Sequence, residues 1–241
     1  MHLQGKTFLV TGAARRLGRV FALAIAREGG NVIIHHGHSP NEAQEVVNLA
    51  MGMGVKAWIL EGDLSEPATV EALFDHAWEI APLDGLINNA AIFEDRDLWQ
   101  TDLDTWQRHL NINLTAPFLL SRCYGMRLPA SKTGRILNIL DWRALRPGSD
   151  HFAYTISKAA LAALTRSLAL ALAPRIVVNG IALGAILPPS DGSTALNLLK
   201  DVPARRWATL EEVEQTLLFF LSAPTYITGE IVHLDGGRHL V

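Results

Sequence analysis

Tyr154 and Lys158 stand four residues apart, a spacing that on a helix places them on one face, about one turn apart. An ammonium beside a phenol lowers the phenol's pKa from about 10, making it a proton donor and acceptor near neutrality. Asp141 lies thirteen residues upstream, at the end of the apolar run 134–140, which reads as a buried strand. A carboxyl at the tip of a strand, followed by a helix carrying Tyr and Lys, outlines a proton-transfer site. Chance spacing on a surface helix is the alternative for the pair, and a helix cap or turn is the alternative for Asp141.

Such a pair needs a scaffold, and the N-terminal region supplies its first part. Residues 6–10 form a short β-rich run, followed by Thr11-Gly12-Ala13-Ala14-Arg15-Arg16-Leu17-Gly18. Apolar residues at Val20, Phe21, Leu23, Ala24 and Ala26 then suit a helix packed on a sheet. Strand, glycine turn and helix together aim backbone N–H groups and a helix N-terminus at a pyrophosphate. Gly12 lets the turn form, and Gly18 lets the helix approach the strand. An ordinary βα turn is the plain alternative.

Strand and helix signals alternate to the end. Further strands are expected at 31–35, 56–60, 86–88, 134–141, 176–181 and 230–234, and helices at 41–53, 66–80, 103–127, 154–172 and 210–222. Continuous apolar strands separated by helices predict one α/β domain over 1–241, a Rossmann-type doubly wound parallel sheet of seven strands with helices on both faces. The stretch 184–207 carries Pro188-Pro189, Asp191-Gly192-Ser193 and Pro203, and its length predicts a substrate lid.

The composition of the 241 residues, 49% hydrophobic and 19% charged, suits one large core. A net charge of -3 carries no signature of nucleic-acid or membrane partners. Cys123 is the sole cysteine; it excludes an internal disulfide framework, suits a reducing cytoplasm and is expected in the core. No apolar stretch is expected to reach membrane-span length, since 161–173 is interrupted by Arg166. The N-terminus enters the first strand directly, which argues against a signal peptide. A soluble cytoplasmic protein is expected.

At this point the chain resembles the short-chain dehydrogenase/reductase family over essentially its whole length. The matching residues are Thr11-Gly12…Gly18, Asp63-Leu64 after strand three, Asn88-Asn89-Ala90 after strand four, Asn113 in the long helix, Tyr154…Lys158, and Asp235-Gly236-Gly237. The resemblance implies a nicotinamide cofactor and a Tyr-Lys-Asn proton-transfer system, with Asp141, Tyr154, Lys158 and Asn113 as catalytic residues. It places the cofactor on Gly12, Arg15, Arg16, Leu17, Gly18, His38, Ser39, Asp63, Leu64, Asn89, Ala90, Tyr154, Lys158, Gly184 and Ile186, and it favours a homotetramer. Two departures narrow it. Arg16 stands where most members have glycine, and Asp141 where most have serine. Both look like the pteridine reductase branch, which includes dihydromonapterin reductases. Phe93 after the Asn-Asn-Ala turn, Pro147, and the ending Leu234-Asp-Gly-Gly-Arg-His-Leu240 match that branch. Ala91, Leu183 and His38 depart from it, replacing a small polar residue, a proline and an arginine.

The chemistry of these residues suits a flat, nitrogen-rich ring, with Arg16, Phe93, Asp141 and Tyr154 as the substrate-binding set. Phe93 would stack on one face of a pterin while the nicotinamide covers the other, worth about 1 kcal/mol beyond burial. Arg16 would lie between the pyrophosphate and the ring carbonyl. Asp141 would serve a ring nitrogen, because C=N reduction requires protonation at nitrogen as hydride reaches carbon. The plain alternatives are a core Phe93 and a solvated Arg16. At the end of strand two, His35-His36-Gly37-His38-Ser39 holds no acid before Glu42, so Arg15 with His38 or Ser39 fits a 2′-phosphate and NADPH. Side chains that alternate between faces of a strand argue against a metal cluster in that histidine trio, and no metal site is expected.

Pro117 lacks the N–H that would bond the carbonyl of Asn113 in a helix. In the family, the asparagine here holds a water that links the lysine to solvent, and Pro117 would leave that acceptor open; a simple kink is the alternative. The tail 236–241 shows no helix or strand signal; the resemblance to the pteridine reductase branch implies that Arg238, or else His239, comes near a neighbouring subunit's substrate pocket, with a frayed end as the alternative. Two rival functions stand beside pterin reduction: a carbonyl reductase on the same fold, and a non-catalytic binding protein, against which Asn113, Tyr154 and Lys158 all speak.

Overall fold

The computed structural model describes residues 3–187 and 199–241. In chain order its elements are β1 (Thr7–Val10), α1 (Arg16–Arg27), β2 (Asn31–His36), α2 (Pro40–Gly52), β3 (Ala57–Glu61), α3 (Pro67–Ile80), β4 (Gly85–Asn88), α4 (Leu103–Leu110), α5 (Ala116–Arg127), β5 (Gly134–Asp141), α6 (Phe152–Leu172), β6 (Ile176–Leu183), α7 (Leu210–Ser222) and β7 (Ile231–Leu234). The strands form one sheet, ordered β3-β2-β1-β4-β5-β6-β7, and every neighbouring pair is parallel. This is the seven-stranded doubly wound sheet that the periodicity predicts.

The apolar strands bury both faces because successive side chains point to opposite sides. Phe8, Val10, Val32, Ile34 and Ile87 enter one core with Phe21 and Ile25 of α1, Val46 of α2 and Leu217 of α7. Leu9, Ile33, Leu86, Ile136 and Val178 enter the other with Phe74 of α3, Leu120 and Tyr124 of α5, and Leu168 of α6. From β1 the chain winds outward through β2 and β3, then returns to β4 on the other side. Where the order reverses, the connections diverge and leave a crevice beyond the C-terminal strand ends. Val10, His36, Asn88, Asp141 and Leu183 end their strands at that edge, so the segments that follow them share one site.

Four expectations need correction. The helix expected over 103–127 is broken by a wide π turn at Asn111–Thr115, where the Ala116 N–H bonds the Asn111 carbonyl five residues back. Pro117, with no N–H to give, sits immediately after it. A membrane-length apolar helix does exist: α6 has 21 residues and enough hydropathy to cross a bilayer. It buries Tyr154, Ser157, Lys158, Leu161, Thr165 and Leu168 and lies against β6 and β5, which makes it a core helix. The tail is structured, forming a short 3-10 turn at Arg238–Leu240. Asp235 holds it by accepting from the Gly237 and His239 N–H groups and from the His239 ring. The fourth is the ionisation of Tyr154, whose phenol is held by burial well above its ordinary pKa. Of the expected lid, residues 184–187 and 199–207 bridge β6 and α7, while Pro188, Pro189, Asp191, Gly192 and Ser193 lie outside the described residues.

Candidate active site

The turn after β1 is held by three neighbouring strand ends. Gly12 adopts φ +62°, and its N–H donates to His35 Nδ1 at 3.1 Å. The other ring nitrogen, Nε2, then donates to the Gly62 carbonyl at 3.1 Å. Burial pulls the imidazole pKa down to about 4, so His35 stays neutral in the one tautomer that fits both bonds. Thr11 Oγ1 accepts from the Asn89 and Ala90 N–H groups, and the Asn89 amide donates to the Thr11 carbonyl at 2.8 Å and the Gly12 carbonyl at 3.2 Å. A Cβ on Gly18 would lie 2.0 Å from the Gly12 carbonyl oxygen, so only glycine lets α1 start this close to the strand.

Around this turn stand the other residues expected at the cofactor. Arg15 donates to Ser39 Oγ and pairs with Glu42 at 3.6 Å, while His38 beside them is exposed. Arg16 opens α1 at φ +50°, a left-handed conformation that suits glycine better, with its side chain exposed and Leu17 half-buried. Asp63 and buried Leu64 follow β3; hydrogen bonds from Ser65 hold the Asp63 carboxyl below its ordinary pKa. Gly184 is pressed on the end of β7, where an added Cβ would meet Asp235 Cα at 2.6 Å, and Ile186 is buried.

The Tyr154 hydroxyl donates to Asp141 Oδ2 at 3.1 Å, and Asp141 Oδ1 accepts from the Arg143 N–H at 2.8 Å. Asp141 therefore ends β5, caps the following turn and contacts the phenol at once. Burial raises its carboxyl pKa, against the pull of the Arg143 N–H and the charges of Arg143 and Lys158. Tyr154 is not poised near neutrality: burial, then the Asp141 charge and hydrogen bond, hold the phenol well above its ordinary value. Lys158 faces elsewhere. Its Nζ donates to the Ile139 carbonyl at 2.7 Å and lies 5.8 Å from the centre of the Tyr154 ring. Burial lowers the lysine's pKa to about 8, against the raising effect of Asp141.

Asn113 is fully buried and clamps Ile92 at both backbone atoms, accepting from its N–H at 2.9 Å and donating to its carbonyl at 3.1 Å. It also donates to Ser157 Oγ at 3.0 Å, which donates to the Tyr154 carbonyl at 2.7 Å. The clamp fixes the segment that presents Phe93. That ring is 55% exposed, which rules out a core role. It stacks on His151 at 4.0 Å and meets Tyr154 edge-on at 4.6 Å.

The residues that position this site include several that the motif reading did not single out. Arg143 grips Asp150 through two bonds of 2.9 Å, and His151 immediately precedes α6 at φ +48° with its ring on the Glu94 carbonyl. Trp142 carries the Arg143 and Arg238 guanidinium groups at 5.0 and 4.2 Å. An Asp followed two residues later by an N–H donor is a recurrent local turn, so the Asp141–Arg143 bond had a sequence signal. The partners of His35 and His151 come from strands and loops far along the chain and had none.

The family profile described as enoyl-(acyl carrier protein) reductase matches residues 12–239. The short-chain type dehydrogenase/reductase of Picea abies is 32% identical over 253 residues, covering 98% of this chain and 93% of the relative. This chain belongs to the short-chain dehydrogenase/reductase family. Another relative, the 3-oxoacyl-[acyl-carrier-protein] reductase FabG of Aquifex aeolicus, is 34% identical over 245 residues and covers 98% of both chains. Among solved members, the FolM alternative dihydrofolate reductase 1 of Brucella canis, complexed with NADP, is 35% identical with a TM-score of 0.92, covering 100% of this chain and 97% of that one. The chain is thus similar both to a 3-oxoacyl-[acyl-carrier-protein] reductase and to an alternative dihydrofolate reductase.

Proposed function

We propose that the chain reduces a C=N bond of a pterin with NADPH, the proton being handled by Asp141, Tyr154 and Lys158. The observation that carries this is the Asp141 carboxyl, 3.1 Å from the Tyr154 hydroxyl and pushed by burial toward its protonated form. Phe93 offers an exposed ring beside the same phenol, where a flat substrate would stack.

The residues present fit the cofactor. Gly18 lets the start of α1 press against the glycine turn, with no room for a side chain between them, and the first N–H groups of that helix would take the pyrophosphate. Arg15 and Ser39, already joined, would take a 2′-phosphate, with Asp63, Leu64, Asn89, Ala90, Gly184 and Ile186 around the remainder. When bound, the reduced nicotinamide supplies the hydride. The chain's own part is the proton: Asp141 or Tyr154 gives it to the ring nitrogen as the adjacent carbon is reduced, and the pair is recharged from solvent. Lys158, protonated below about pH 8, offsets the charge left behind. Asn113 acts through Ile92 and Ser157, positioning Phe93 and the backbone of Tyr154.

The FolM dihydrofolate reductase likeness supports this reading; the FabG likeness favours the second, reduction of a carbonyl by the same phenol. Loss of NADPH absorbance with 7,8-dihydropterins, dihydrofolate and a 3-oxoacyl thioester separates them. Turnover of the thioester with none of any pterin would sink the C=N assignment.

A further inference from the structure

Immediately beyond Asp141, the substrate side opens into a cavity of about 600 Å³ whose lining includes Trp142, Arg146, Lys200, Asp201, Arg205 and Arg238. Four cations, Arg146, Lys200, Arg205 and Arg238, stand in this wall with one acidic side chain, Asp201, and with Val241 beside them. The cavity is built by packing between distant segments. The Ala204 N–H donates to the Gly236 carbonyl at 3.0 Å and the Arg205 N–H to the Val202 carbonyl at 2.8 Å. A Cβ on Gly236 would lie 2.8 Å from Val202, so the turn and the tail are in direct contact. Arg205 is held there at φ +52°, a conformation rarely adopted without a structural reason.

Arg238 is the central feature. Its guanidinium lies over the Trp142 ring at 4.2 Å, and its Nε is buried without a hydrogen-bond partner among the described residues. A guanidinium seated on a ring among three further cations of the same wall is the chemistry that receives an oxyanion. Trp142, the residue after Asp141, lines the cavity, so the cavity adjoins the proton-transfer pair. We propose that this cavity holds a carboxylate or phosphate on the substrate's tail, so that the enzyme acts on ring substrates with an anionic tail. The tail inference rests on the pterin reading for the ring, whereas the anion site itself does not.

Two arms test it. In the first, kcat/KM is measured for dihydrobiopterin (uncharged tail), dihydroneopterin monophosphate (phosphate) and dihydrofolate (carboxylates), in wild type and in Arg205→Gln and Arg238→Gln. The ratio of anionic-tail to neutral-tail kcat/KM should fall about tenfold in each variant, as expected for one charge-assisted hydrogen bond. Whether phosphate or carboxylate is affected more identifies the tail. An unchanged ratio in both variants overturns the proposal. In the second arm, inorganic phosphate is titrated by calorimetry into NADP-saturated protein, which needs no turnover. Binding that is lost in the Arg205→Gln/Arg238→Gln double variant supports the site even if no pterin is reduced. No binding to wild type, or binding that survives the double change, overturns it.

Discussion

Lys158→Met should make the protein more stable at neutral pH while it harms catalysis. Burial lowers the Lys158 pKa from 10.5 to about 8, and a tenfold change in proton affinity corresponds to about 1.4 kcal/mol. Below pH 8 the amine is charged in both folded and unfolded chains, so the folded state bears the full cost, about 3 kcal/mol. Between pH 8 and 10.5 the folded chain holds fewer protons than the unfolded one, so stability rises with pH and the cost vanishes at the upper end. Methionine fills a similar volume without a charge, but it leaves the Ile139 carbonyl without its 2.7 Å donor, a loss of about 1 kcal/mol. The net gain at pH 7 is about 2 kcal/mol, or roughly 4–8 °C in Tm for a domain of this size. Thermal unfolding of both proteins at pH 7 and pH 9.5, with NADPH-dependent turnover measured at pH 7, tests the argument. The variant should lead in Tm at pH 7, lose most of that lead at pH 9.5, and turn over more slowly. A variant less stable at pH 7, or a gap independent of pH, would refute the idea that the protein holds a costly ammonium in place for its chemistry.

Asp141→Ser should reduce pterin turnover by roughly 10²–10⁴-fold, the usual worth of a positioned acid or base; unchanged turnover would remove Asp141 from proton delivery. Phe93→Ala should raise the pterin KM by the equivalent of about 1–3 kcal/mol with little change in Tm, because the ring is 55% exposed. A fall in Tm at constant KM would instead assign Phe93 to packing against His151. Arg15→Ala should lower the ratio of kcat/KM for NADPH over NADH by about tenfold or more, and an unaltered ratio would show that the pair Arg15–Ser39 does not read the 2′-phosphate.

What the sequence alone determined was whatever depends on short-range order. Apolar runs such as 134–140 specify strands, 3.6-residue periodicity specifies helices, and their alternation leaves few topologies other than a parallel sheet covered on both faces. Gly12 and Gly18 announced a close approach of helix to strand, and the Tyr154–Lys158 spacing placed two side chains on one helix face. Tertiary structure decided what those side chains meet. The same burial that makes α6 a core helix removes water from Tyr154, Asp141 and Lys158. It pushes the phenol up and the amine down, so the proton chemistry differs from that of a lysine beside a phenol in water. Only the folded sheet brings His35 to Gly12 and Asn113 to Ile92, and only it carries the tail back so that Arg238 covers Trp142. Those contacts join residues from 21 to 96 positions apart, and a short motif has no means of encoding a partner at that distance; the packing of whole elements selects it.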